Sequence, residues 1–228
     1  MAAVQCSCVR RLTSSLCAAV TLALLTATDA RAQDPPPRIG PFVFDLHATM
    51  PGFPSDDTDL ANSRGLASNE LPGRGLGLHG GAHVYVLTWK AVTIGLGVDA
   101  TVARTHKSGA ALTDGTSTRD VTETFTHIAP ELSLNFGDGD GWSYLSAGVG
   151  PSAWAFDVAG RNPVSADTER LQTTNWGGGA RWFIKPHLAF SLDVRIYDIN
   201  PSTFVPEDLY PTAPRTRLLI IGAGISFK

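Results

Sequence analysis

VTIGLGVDATV, Val92–Val102, is the stretch on which the fold turns. Val92, Ile94, Leu96, Val98, Ala100 and Val102 share one parity, and Thr93, Gly95, Gly97, Asp99 and Thr101 share the other. Side chains two residues apart lie on the same face of a strand, so the run reads as one long strand with an apolar face and a small or polar one. It is well beyond the usual ~5–6 residues. Helical spacing does not fit it.

The same period recurs along the chain. Phe42, Phe44, Leu46, Ala48 and Met50 alternate with Asp45, His47 and Thr49. Ile128, Pro130, Leu132, Leu134 and Phe136 alternate with His127, Ala129, Glu131, Ser133 and Asn135. Leu188–Tyr197 sets Leu188, Phe190, Leu192, Val194 and Ile196 against Asp193, Arg195 and Tyr197, and Leu219–Phe227 closes the series. Weaker alternation over Leu76–Thr88, Trp142–Ala155 and Leu171–Ile184 brings the expected total to eight strands. Nothing between them has helical spacing. The expected connections alternate too: short at Thr88–Lys90, Gly137–Gly141 and Lys185–His187, long at about 51–75, 104–120, 156–170 and 198–214. Long loops after odd strands and short turns after even ones describe an all-β, eight-stranded, antiparallel up-and-down barrel.

Residues 1–32 read as a secretory signal peptide, with Arg10 and Arg11 before the apolar run Leu16–Leu25 and Ala30-Arg31-Ala32 as a small-x-small cleavage site. A Pro-rich leader, 33–39, then precedes the barrel domain, 40–228. The apolar run is too short for a spanning helix, which needs ~20 residues. All three cysteines (Cys6, Cys8, Cys17) leave with the signal, as do Arg10, Arg11, Arg31 and Asp29, so 15 basic and 20 acidic residues of the original 18 and 21 remain. Such a chain has no disulfides and no basic surface suited to nucleic acid.

Alternation does not itself say whether lipid or a core meets the apolar face. Composition does. Charged residues are 17% of the chain, there are 23 glycines, and the only lysines are Lys90, Lys107, Lys185 and Lys228, none of them mid-strand. A soluble barrel would cover its outer face with Lys and Glu; this polar face is Gly, Ser and Thr with a few charges. Trp89, Trp142, Tyr144, Trp182 and Phe227 gather at the short-turn end, where an interfacial aromatic girdle is expected. The apolar face therefore meets lipid, and the chain is expected to span a membrane as a closed barrel.

NWGGGARWFIKPHLAFSLDVRIYDI (Asn175–Ile199) resembles the sixth strand, turn and seventh strand of small outer-membrane β-barrel proteins, the OmpA-barrel, OmpX and OmpW-like group; PELSLNFG (Pro130–Gly137) resembles that group's fourth strand entering a periplasmic turn. The resemblance implies an outer-membrane location, lipid and lipopolysaccharide as surroundings, and assembly machinery that reads the last strand, here ending Phe227-Lys228.

Inward parity collects Asp45, Asp99, Glu131, Arg181, Asp193 and Arg195 with His47 and His83. Carboxylates beside an arginine can build a hydrolase site. An eight-stranded barrel is, however, just wide enough for side chains to fill, and buried charges must be paired. The expectation is a structural salt-bridge plug, with Arg181 and Arg195 held among Glu131, Asp193 and Asp45. Arg181→Ala is expected to lower the urea midpoint clearly, and Arg64→Ala, in the first long loop, is not. His79 and His83, ~13 Å apart on one strand, cannot share a metal. A lipid A-modifying enzyme would need a Ser/His/acid set facing lipid near the outer rim; His127, read as the in-strand histidine nearest it, faces inward. No catalysis, cofactor, metal or nucleic-acid partner is expected, and the chain is expected to be a monomer: a protein with a filled lumen serving envelope integrity or surface interaction, or alternatively a narrow channel for small or apolar solutes. Pro130 and Pro151 lie mid-strand without a free edge to excuse the missing N–H, so a bulge or break is expected near each.

Overall fold

The computed structural model describes residues 39–113, 115–202 and 210–228. The expected signal peptide, 1–32, and all but residue 39 of the expected Pro-rich leader lie outside them.

Eight strands close into one antiparallel barrel in sequence order: β1 (Phe42–Gly52), β2 (Leu76–Trp89), β3 (Val92–Lys107), β4 (Val121–Asp138), β5 (Gly141–Val158), β6 (Arg170–Lys185), β7 (Leu188–Ile199) and β8 (Thr216–Phe227), with β8 pairing back onto β1. Strict alternation produces this. In β1 every second residue from Val43 to Pro51 is buried and those between are exposed, and β4, β5 and β8 behave alike. The exposed set is apolar (Leu46, Leu96, Leu132, Leu145, Leu192, Ile221), so the outer wall is a lipid-facing surface and the hidden side is the lumen.

The short turns at 90–91, 139–140 and 186–187 are at one end, and the long loops L1 (53–75), L2 (108–120), L3 (159–169) and L4 (200–215) at the other. β3, β4 and β5 run several residues further toward the long loops than their alternation suggests. Two short helices also occur where none is expected: α1 (Thr58–Ser63) in L1 and α2 (Ser165–Thr168) in L3. The Asp57 side chain caps α1, accepting from the Leu60 amide at 2.9 Å. This is the ordinary use of Asp at an N-cap.

Pro130 and Pro151 produce one shared break rather than two bulges. The β4–β5 ladder runs to His127↔Ser152 and resumes at Glu131↔Gly148 in the same register, leaving the residues between unpaired across that seam. Register shifts lie instead near the short turns, between Tyr85 and Leu87 and between Phe183 and Lys185.

Candidate functional site: a three-layered lumen

The lumen is filled in layers. Near the short turns is an apolar floor of Ile39, Val43 and Trp142, packed by Tyr85 and Phe183. Trp142 stacks on Phe183 at 4.9 Å between centroids and meets Tyr85 edge-on at 5.9 Å. The girdle expectation thus needs correction. Trp89, Trp182 and Phe227 are exposed on the outer wall, joined by Phe44 and Phe190, but Trp142 and Tyr144 are only 2% and 3% exposed inside the lumen. They share the parity of inward-facing Ser146, and parity outweighs their nearness to the strand end.

Above the floor is a charged layer. Arg181 grips Asp45 with two bonds, Nε to Oδ1 at 2.8 Å and Nη2 to Oδ2 at 2.6 Å, and its guanidinium is 3.9 Å from the Tyr144 ring centre. Ser226 also donates to Asp45. Tyr144 donates to Asp193 at 2.6 Å, and Arg195 Nε donates to the other Asp193 oxygen at 3.2 Å. Arg195 Nη1 pairs with Glu131 and is 3.8 Å from Asp99, while Nη2 donates to Ser146. Asn175, from β6, links Asp99 and Glu131 by donating to both. His83 Nε2 is 3.3 Å from Glu131. His79 pairs with Asp99, its other ring nitrogen is 3.0 Å from His47, and His47 reaches Ser191 at 2.8 Å.

All eight residues expected in the lumen lie in this layer, and all are buried. Arg181 is held by Asp45, and Arg195 by Glu131, Asp193 and Asp99. His79, Asn175 and Tyr144 join them. Sequence parity places those three inward, but only cross-strand register shows what they touch. The four carboxylates outnumber the two guanidiniums by two, and His79 and His83 each face one of the carboxylates.

The roof is apolar and supplied largely by L1. Phe53, Leu60, Leu66 and Leu71 pack into the mouth against Phe125, Trp154, Phe156 and Tyr197 of the wall. Trp154 meets Phe125 edge-on at 6.3 Å. Arg64, though in a loop, is 1% exposed: Nη1 donates to Asp167 at 3.1 Å, and its guanidinium is 4.7 Å from the Phe156 ring centre. Arg161 holds the other Asp167 oxygen at 2.7 Å and donates to the Arg64 carbonyl, so L1 and L3 are tied together. L2 is tied to L1 by Arg119, which donates to both Glu70 oxygens at 3.0 and 2.8 Å and to the Gly65 carbonyl at 2.7 Å. Hydrogen bonding from Arg119 holds the Glu70 carboxyl down at about 2.

Chemistry on the outer rim differs from expectation. His106, at the top of β3, lies closer to the rim than His127 and faces outward. Its Nε2 is 3.3 Å from Ser108 Oγ, but its Nδ1 meets the Thr122 hydroxyl at 3.0 Å, where a hydrolytic triad would place a carboxylate. Among the described residues no group of three or more His, Cys, Asp or Glu side chains could hold a metal ion.

A closed, eight-stranded, lipid-facing barrel with long loops at one end defines the class of small outer-membrane barrels. The family model described as "Outer membrane protein beta-barrel domain" matches residues 15–227, and the chain belongs to that family. No curated protein matches the sequence. Among solved structures it is similar to Neisserial surface protein A, with 14% identity, 83% of this chain and 97% of that one covered, and a TM-score of 0.53. OprG from Pseudomonas aeruginosa follows at 11% identity, 84% and 97% coverage and TM-score 0.49. Ail, the attachment invasion locus protein of Yersinia pestis, shows 14% identity, 83% and 99% coverage and TM-score 0.43. At these identities the likeness is one of fold.

Proposed function

We propose that this chain is a non-enzymatic, monomeric outer-membrane protein with a sealed lumen, delivered by the leader at 1–32 and serving envelope integrity or surface interaction through its external loops. One observation carries the reading: the charged layer lies between an apolar floor and an apolar roof, so a hydrated ion would have to break paired charges and displace packed rings at both ends. A paired, desolvated charge cluster is costly to open. L1 is folded over the barrel mouth rather than free, which leaves the loops as a structured surface.

Conductance in planar bilayers tests this against the channel alternative. The purified barrel is expected to leave the bilayer silent under applied voltage. Discrete, reproducible channel events would overturn the sealed-lumen reading. Unchanged lipid A mass in cells overproducing the protein is the matching expectation against enzymatic activity.

A further inference from the structure

Glu123 is a carboxyl built into the apolar roof. It lies between Val121 and Phe125 on the inner face of β4, and all three are wholly buried. The outward residues beside it are Thr122, Thr124 and Thr126, and the apolar outer face begins only at Ile128, so Glu123 lies above the lipid band. Trp154 Nε1 donates to one of its oxygens at 3.2 Å. The other oxygen has no hydrogen-bond partner. Buried polar atoms are nearly always satisfied, and a buried carboxylate with one neutral donor is poorly compensated.

The groups packed around it are engaged elsewhere. Arg64, the C-cap of α1, acts on it electrostatically, but its Nη1 is on Asp167 and its flat face is on Phe156. Arg161 of L3 is also on Asp167, and Arg119 of L2 is on Glu70. Across the seam β3 presents Thr105, whose hydroxyl donates to the Arg74 carbonyl. Along β4 the next inward titratable group is His127, with Phe125 between, and from β7 the Tyr197 hydroxyl meets Thr101. Burial pushes the Glu123 carboxyl up to about 8, against the opposing pull of the Trp154 hydrogen bond and of Arg64.

Ionised Glu123 can be met in two ways, and both loosen L1. Water can enter beside it, displacing the apolar cover of Leu60 and Leu66. Alternatively Arg64 can turn to it, which takes the guanidinium off Asp167 and undoes that part of the L1–L3 tie. The rest of L1 stays anchored. The Phe53 amide donates to the Gly73 carbonyl at 3.0 Å, Lys107 holds the Leu71 carbonyl, and Arg119 holds the Gly65 carbonyl. The part free to lift is α1.

We propose that α1 is a proton-locked lid: it closes the barrel mouth while Glu123 is protonated and lifts, with the wall still folded, when Glu123 ionises. The closed lid holds a proton that the open one releases at the ordinary value of 4.5, so closure is favoured at low pH and weakens as pH rises from about 4.5 to about 8. The proposal rests on L1 being the outer cover of a filled lumen. It leaves the charged layer and the floor shut, so the bilayer stays silent at alkaline pH. Its failure is read in L1, and failure of the sealed-lumen reading is read in conductance.

The test follows amide-exchange protection of Leu60 and Ala61, corrected for the intrinsic rate, on the folded protein in a neutral maltoside detergent from about pH 6.5 to about pH 9. In wild type, protection is expected to fall about tenfold per pH unit and to level off at about 8, while Leu96 and Leu132 in the wall show no such fall. Glu123→Gln keeps the volume and cannot ionise, so its protection should be flat across the range. Trp154→Phe removes the carboxyl's one donor and should move the levelling to higher pH. The ¹³C shift of the Glu123 carboxyl follows the same proton without any variant and should show it protonated at about pH 6.5. Flat protection in wild type, the same slope in Glu123→Gln, or an ionised carboxyl at about pH 6.5 would each overturn the proposal.

Discussion

Arg181 and Arg64 are both almost fully buried arginines, each donating to an aspartate from a distant part of the chain, yet they sit in different kinds of structure. Arg181 rises from a strand into the mid-lumen layer, and among the described residues Asp45 pairs with no other arginine or lysine. Arg64 descends from a loop into an apolar roof, and Asp167 is shared with Arg161. The first pair is held by barrel register; the second is held by packing of Leu60, Leu66 and Phe53 into the mouth. Burial depth alone therefore does not rank these residues. What remains for the partner after one is removed does.

The comparison breaks most sharply at Arg181. Arg181→Ala leaves Asp45 buried with only Ser226 and is expected to cost about 3–5 kcal/mol, read as a fall in the urea midpoint of the folded barrel. Arg64→Ala leaves Asp167 with Arg161 and is expected to cost about 1–3 kcal/mol. Its clearer signature is faster amide exchange at Leu60 and Leu66, with strand amides unchanged. Equal midpoint shifts for the two variants would erase the distinction between register and packing.

Trp142 and Trp89 sharpen the same contrast at the other end. Because Trp142 is floor and Trp89 is outer wall, iodide added to the folded barrel should spare Trp142 fluorescence, compared through Trp142→Phe and Trp89→Phe. Loss of the same quenchable fraction in both variants would contradict the floor assignment.

The smallest effect is at the L1–L2 tie. Arg119 holds the Glu70 carboxyl at about 2, against an ordinary value of 4.5. The ionised form favours the tied loop, so its stabilisation is complete above about 4.5 and is lost as pH falls toward about 2. Arg119 is partly exposed, so the effect stays below ~1 kcal/mol. Protease cleavage within L1 should accelerate over that window in wild type and be flat in Glu70→Gln. The same acceleration in both would place the titration elsewhere.

These contrasts also show what could be seen in the chain before its fold. Alternation in Val92–Val102 and its fellows puts Asp45, Asp99, Glu131, Arg181, Asp193 and Arg195 on the buried face, because a period of two leaves no freedom about facing, but Glu123, buried nearer the long loops, lies before the alternating run of its strand. Alternation also places Trp142 and Tyr144 inside, and reading them as a girdle weighed their position along the chain above their parity. Arg64 was out of reach, since loops carry no period. Its one local signal is Asp57 before Thr58-Asp59-Leu60-Ala61, a cap ahead of a short helix that presents Leu60 and Ala61 to the mouth. On its own strand His79 has only His83 on the same face, whereas its partners Asp99 and His47 lie across the two neighbouring seams. Pro130 and Pro151 announced a break, but only the register shows that they share one.

The central claim is that the middle of the lumen is cut off from water at both ends. Every cysteine of the chain lies in residues 1–32, so a single replacement in the barrel, made without that leader, carries a unique thiol. Ser146→Cys puts that thiol beside Arg195 in the charged layer, and Ser108→Cys puts it on exposed L2. With a charged methanethiosulfonate reagent on the folded barrel, Ser108→Cys is expected to label fully and Ser146→Cys to stay unlabelled until urea unfolds it. Labelling of Ser146→Cys in the folded state at a rate comparable to Ser108→Cys would contradict the sealed lumen.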